Sequence, residues 1–347
     1  MGNIILMGGC MLALLAQPGT AETTGVDDSA VLADYHAFLG VLPMADMLSA
    51  NRAAERYVLD VVRAGQGARD QAFLEFLQFY SRLAESVTRE LLYKDGERVM
   101  RWAERLPCPR HGTKPNNPVD FIYSGNIDPP QDMYGAQYRI MADPTFSALL
   151  RHSGFQWQGD GEGSYYLAHT EDFVPGIFVP YVSPALREYV QLRSREVSTR
   201  LSVDGGLSLE ADELARRTRA WEKYCNEYPD SPLKKSAVYL SKVYLATFVK
   251  TCRYSFPDKE SGENNLFVQE WEKYAEEHRG AKSAEFVGEC LNLHRANHFE
   301  ITESTPVYQE FIGRFDAYLD SLGEGPKRES LVAGDYLPDL FNDYYWG

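Results

Sequence analysis

The sequence lacks any run long and apolar enough to read as a membrane-spanning helix. The charge-free stretch Ile4–Ala16 is thirteen residues, against about 20 needed to cross the hydrocarbon core. A Pro18-Gly19 turn and the small residues Gly19-Thr20-Ala21 follow it. That succession is the hydrophobic core and cleavage site of a secretory signal, although no Lys or Arg precedes the run. Export to the periplasm or cell envelope is therefore expected, with residues 1–21 removed. Lipid attachment at Cys10 is the lesser alternative, because the apolar run before Met7-Gly8-Gly9-Cys10 is very short. Leu6 stands where N-myristoylation requires Ser or Thr, which excludes that anchor.

Cysteine is scarce, with 5 in 347 residues. Beyond the signal, Cys108, Cys225, Cys252 and Cys290 remain, and their spacing fits no zinc framework. An oxidising compartment would permit disulfides among them in several pairings. Positive charge is also in short supply: 35 Lys and Arg stand against 50 Asp and Glu, a net charge of −15. Nucleic acid and anionic membrane surfaces are disfavoured by that average, which leaves a basic protein or a cation as the natural partner. Missing too are a Gly-x-Ser-x-Gly elbow, a phosphate-binding loop and a dinucleotide fingerprint. These absences turn the functional reading away from catalysis and toward binding.

What is present is mostly helical periodicity. "QAFLEFLQFYSRL" sets Phe73, Phe76, Leu77, Tyr80 and Leu83 at spacings of three and four, one apolar stripe on one helix. Residues 22–106 form an N-terminal helical region on this pattern. The Pro-, Gly- and Asn-rich "CPRHGTKPNNPVDFIYSGNIDPPQD" then breaks the helical character and opens an insert over residues 107–182. Within it, Pro144 suits the first turn of a short helix with Asp143 as cap. "GFQWQGDGEGSYYLAH" reads as a β-hairpin, with Phe155 and Trp157 on one strand and Tyr165 and Leu167 on the other. Ser183 and Pro184 announce the return to helix over residues 183–322, and an aromatic tail spans 323–347. The expected fold class is mainly α: antiparallel helical hairpins with a small β-hairpin-containing insert.

The strongest internal signal is a repetition. Trp221-Glu222-Lys223-Tyr224 recurs as Trp271-Glu272-Lys273-Tyr274, and Lys235-Ser236-Ala237 as Lys282-Ser283-Ala284. Beyond these, Tyr239 falls on Phe286, Leu240 on Val287 and Val243 on Cys290, so apolar type is kept along a second helix. A fainter third copy begins at Tyr308. Such self-similarity marks stacked helical hairpins, none of which can bury its apolar face alone. With Cys225 just before the hairpin turn and Cys252 far beyond it, the two sites lie about 25 Å apart along the pair, outside disulfide reach.

The segment Tyr224–Phe248, "YCNEYPDSPLKKSAVYLSKVYLATF", resembles tetratricopeptide-type hairpins of bacterial envelope proteins. In those a Tyr-Pro-x-Ser turn joins two helices, as Tyr228, Pro229 and Ser231 do here, and Ala sits early in the second, as Ala237 does. The likeness covers about one repeat, and the fifty-residue spacing departs from the family's usual 34. It implies a binding scaffold rather than an activity.

Four constellations could carry chemistry. In "CLNLHRANHFEITE", His294 and His298 are four apart, so on one helix face both would reach a divalent metal, with Glu300 or Glu303 beside them. That pair is the expected site of the alternative function, a metal-dependent hydrolase, although Arg295 replaces the Glu of a metalloprotease helix. Asp160 and Glu162 form an acidic turn with too few carboxylates for a calcium loop. Cys108 and His111 lie close together in the Pro-rich segment. Finally, Phe341, Tyr345 and Trp346 in the tail are candidate partner-binding residues. The leading expectation is an exported, non-catalytic protein-binding protein of the cell envelope, of assembly-scaffold or immunity type, with no cofactor required.

Overall fold

The computed structural model of the chain describes residues 27–44, 46–89, 144–159, 165–250 apart from 198, 200, 204 and 205, and 257–323 apart from 303. Three helices open it: α1 (Asp28–Val41), α2 (Leu48–Asp60) and α3 (Gln66–Arg89). Asp27 caps α1, its carboxylate accepting from the backbone N–H groups of Ser29 and Ala30 at 3.0 and 3.2 Å. Both α1 and α2 pack on α3. The stripe read from the sequence is the one α3 buries: Phe73, Phe76, Tyr80 and Leu83 are fully enclosed and Leu77 nearly so.

After a segment outside the described residues, α4 (Pro144–His152) leads into the antiparallel pair β1 (Phe155–Gly159) and β2 (Tyr165–His169). Trp157 pairs with Leu167 and Phe155 with His169, so Phe155, Trp157 and Leu167 share one face, as alternation requires. An isolated hairpin is marginal in water. This one lies with β2 on α3 and β1 on α4. Tyr80 of α3 fixes it: the ring stacks on His169 at 4.1 Å and meets Phe155 at 4.8 Å, while its hydroxyl donates to the Gly154 carbonyl. Gly154 has φ +80°, and a Cβ there would collide with Tyr80 and Phe173. The insert is tied to the first three helices by Phe178, at the end of α5 (Phe173–Phe178), whose ring sits among Tyr57, Phe73 and Phe76 at 4.8, 5.1 and 4.4 Å.

From α6 (Pro184–Val197) onward helices dominate, with Pro184 in the first position as its fixed φ favours. A two-residue pairing of β3 (Ser202–Val203) with β4 (Gly206–Leu207) interrupts them. Then come α7 (Ala211–Glu227), α8 (Lys234–Lys250), α9 (Leu266–Glu277), α10 (Lys282–Ala296) and α11 (Pro306–Ser321). Helices α7 and α8 form one hairpin and α9 and α10 another; α7 lies beside α9, α8 beside α10, and α11 closes on α10. The repeated tetrapeptides thus occupy equivalent places, each ending three residues before its helix does. The fold is mainly α with a small antiparallel β-hairpin, as the periodicities imply. Among the described residues no helix is long and apolar enough to cross a membrane.

Candidate binding groove

Trp221 and Tyr224, three apart, project from one face of α7, and Trp271 and Tyr274 do so from α9. All four are buried, and each pair faces the helix that precedes its own hairpin. The Trp221 indole N–H donates to Glu196 Oε1 of α6 at 2.6 Å, and that of Trp271 to the Phe248 carbonyl of α8 at 2.9 Å. Aromatic contacts repeat the relation, with Tyr189 of α6 against Tyr224 at 5.8 Å and Phe248 of α8 against Tyr274 at 5.3 Å. Helix α6 therefore plays toward α7 the part that α8 plays toward α9. A buried tryptophan is worth roughly 3–5 kcal/mol relative to alanine, so these anchors hold the stack in register.

Stacking by the inner faces leaves a groove at the turn end of the hairpins, with a volume of about 770 Å³. Helices α7 and α8 form one wall, the turn from Glu277 to Ser283 the other, and Tyr318 and Leu322 of the α11 end close it. The turn is held by Gly280 at φ +90°, a conformation with little cost only for glycine. Glu222 lies at the base and is already engaged: Ser283 donates to it through Oγ at 2.7 Å and backbone N–H at 3.3 Å, and Arg219 at 2.8 Å. Its carboxylate sits at the N-terminus of α10, where the helix dipole favours negative charge.

Four cationic side chains line the groove, Arg219, Lys234, Arg279 and Lys282, against two carboxylates, Glu222 and Glu277. Arg219 is committed to Glu222 and Lys282 to Glu285. Among the described residues, neither Lys234 nor Arg279 has a carboxylate within ion-pair distance. The Cys225 thiol is pushed up to about 11, mainly by burial, with Lys234 pulling the other way and Glu222 reinforcing the rise. It is therefore protonated and a poor nucleophile at neutral pH. Burial likewise raises Tyr318 to about 12. The lining offers cations, hydroxyls and an aromatic edge, the furniture of a recognition surface more than of a reaction centre.

Glu222, Cys225, Lys282 and Ser283 were named from the sequence only as members of the repeat or as cysteines, and Lys234 and Arg279 not at all, yet a signal was available. In a chain where carboxylates outnumber cations, the two hairpin turns read "PLKK" and "HRGAK".

The sequence-derived candidates fare differently. His294 is fully buried in α10, its ring against Trp271, Tyr308 and Phe299, and burial lowers its pKa to about 4. His298 is exposed and lies beyond the end of that helix. The shared helix face that spacing suggested is therefore not formed, because α10 stops at Ala296. Phe299 N–H returns to the His294 carbonyl at 2.9 Å and His298 N–H to that of Arg295 at 3.1 Å, a Schellman ending with His298 and Phe299 at φ +52° and +58°. Among the described residues no group of three or more His, Cys, Asp and Glu is placed to hold a metal ion. Cys225 is half-buried, Cys290 buried, and both are free thiols. Asp160, Glu162, Cys108, His111, Cys252, Glu303, Phe341, Tyr345 and Trp346 lie outside the described residues.

A comparison with known proteins finds no matching family model, no matching curated protein and no matching solved structure.

Proposed function

We propose that the chain is a non-catalytic protein-binding protein whose working surface is the hairpin stack from α7 to α11, and that it acts after export, in the cell envelope. The observation that carries this reading is the groove: a concave, cation-lined surface assembled from consecutive hairpins, with its one thiol protonated. A stack of helical hairpins builds extended binding surfaces from side chains on neighbouring units. The partial resemblance of Tyr224–Phe248 to envelope helical-hairpin repeats points the same way, and the N-terminal signal supports the compartment.

The test is recovery of the full chain from an envelope fraction under mild conditions, with co-purifying proteins identified by mass spectrometry. The same is done for a variant with reversed charges at Glu277 and Lys282, both exposed and lining the groove. One stoichiometric partner, reduced at least about tenfold in the variant, is the expected outcome. A clean chain with nothing attached would remove the reading.

A further inference from the structure

The chain is acidic as a whole, with a net charge of −15, and on that average alone its partner should be basic. The groove has the opposite sign. Recognition is decided within about a Debye length, ~8 Å at physiological salt, so lining residues outweigh the distant average. Of the two carboxylates present, Glu222 is occupied by Ser283 and Arg219, while Glu277 is exposed at the rim. The cations left to meet a ligand are Lys234, on the first turn of α8, and Arg279, across the groove beside Gly280.

Resting on the protein-binding reading above, we propose that this groove seats an acidic, partly apolar peptide segment of a separate protein. Lys234 and Arg279 grip the segment's carboxylates from opposite walls, and an apolar side chain lies on Tyr318 and Leu322. The volume of about 770 Å³ lies in the range of sites that enclose a ligand, which suits a few residues of extended chain. Asn226, exposed on α7, lines the same groove and supplies a polar side chain for a peptide backbone. A nucleic acid fits less well, since neutralising its phosphates needs a long cationic track and the rest of this chain repels it. The chain's own residues just beyond Gly323 are a poor occupant, because Lys327 and Arg328 stand there between Glu324 and Glu329; the acidic, aromatic residues 335–347 are the rival that the deletion below separates.

The experiment is fluorescence anisotropy on the full chain at low ionic strength. Three labelled probes are used: an Asp- and Glu-rich decapeptide containing Leu and Phe, its Lys- and Arg-rich counterpart, and a peptide of residues 334–347. Expected are binding of the acidic probe and weakening of at least about tenfold in Lys234→Glu/Arg279→Glu, roughly 1.4 kcal/mol or more. The milder Lys234→Gln/Arg279→Gln should give a smaller loss in the same direction, and Lys259→Glu, away from the groove, none. Circular dichroism confirms that each variant is folded. Tighter binding of the basic probe, or acidic-probe binding indifferent to Lys234 and Arg279, overturns the proposal. So does a gain of tenfold in acidic-probe affinity on deleting residues 324–347, which would make the tail the occupant. If the proposal fails while a co-purifying partner still depends on the hairpin charges, the protein-binding reading survives. If no partner exists, that reading falls whatever the peptides do.

Discussion

His294 occupies a position where ionisation is costly. Its imidazole is packed between Trp271, Tyr308 and Phe299, and desolvation holds its pKa near 4 against an ordinary 6.5. The unfolded chain binds this proton at the higher pH and the folded chain only at the lower one. Stability is thus complete above about pH 6.5 and declines as pH falls from there toward 4, by on the order of 3 kcal/mol for this residue. Urea titrations of the wild type and His294→Phe at pH 7.5 and 4.5 isolate the effect, because other groups titrate in both. The wild type should lose about 2–3 kcal/mol more than the variant; parallel losses would rule the assignment out. The spacing of His294 and His298 was legible, but the helix stop between them was not. Glycine usually marks a Schellman ending, and here a histidine takes the left-handed position, so nothing in "HRANHFE" announces it beyond Asn297.

Between elements, the joints are polar and buried. Glu196 of α6 accepts from Trp221 of α7 at 2.6 Å and pairs with Arg193 at 2.8 Å, with both charged side chains almost wholly enclosed. Burial pulls the Arg193 pKa down, but the charge and hydrogen bond of Glu196, together with Tyr189 and Tyr244, raise it on balance, and the guanidinium stays cationic. Removing the carboxylate takes an ion-pair partner from a buried cation and the acceptor from an indole N–H. Glu196→Ala should therefore cost about 3–5 kcal/mol, read as a lowered denaturation midpoint. The paired replacement Glu196→Gln/Arg193→Met should recover much of it; no recovery would locate the cost outside the ion pair. This joint shows where sequence reading stops. The two Trp-Glu-Lys-Tyr copies named α7 and α9 at once, whereas α6 carries no such motif and its equivalence to α8 emerges only from what each tryptophan touches. The α3 stripe was readable because period and burial coincide there, and the β1–β2 hairpin because its strands pair in the register that alternation suggests.

At the level of the whole molecule, the apolar core is continuous from α1 to α11, yet its long-range contacts are mostly between neighbours in the stack. In such an arrangement a local lesion spreads to adjacent units first. Trp271→Phe, which forfeits the bond to Phe248 and some volume, should lower hydrogen-exchange protection in α8 to α11 far more than in α1 to α3. Uniform loss across the chain would mean a single cooperative unit instead. The groove belongs to this scale too. Neither the turn after α7 nor the turn after α9 forms it alone, so the charge of its lining differs in sign from the net charge of the chain.

Each tryptophan anchor reaches backward along the chain, from α7 to α6 and from α9 to α8. That direction has a consequence for a polypeptide that emerges from its N-terminus first. Every new hairpin meets a landing site already made, so the stack can grow vectorially without waiting for later residues. Loss of the last hairpin leaves a finished, if uncovered, surface, whereas loss of an early one strands the indole of the next. Truncation is in this sense asymmetric, and the fold is written to be read in the order in which it is synthesised.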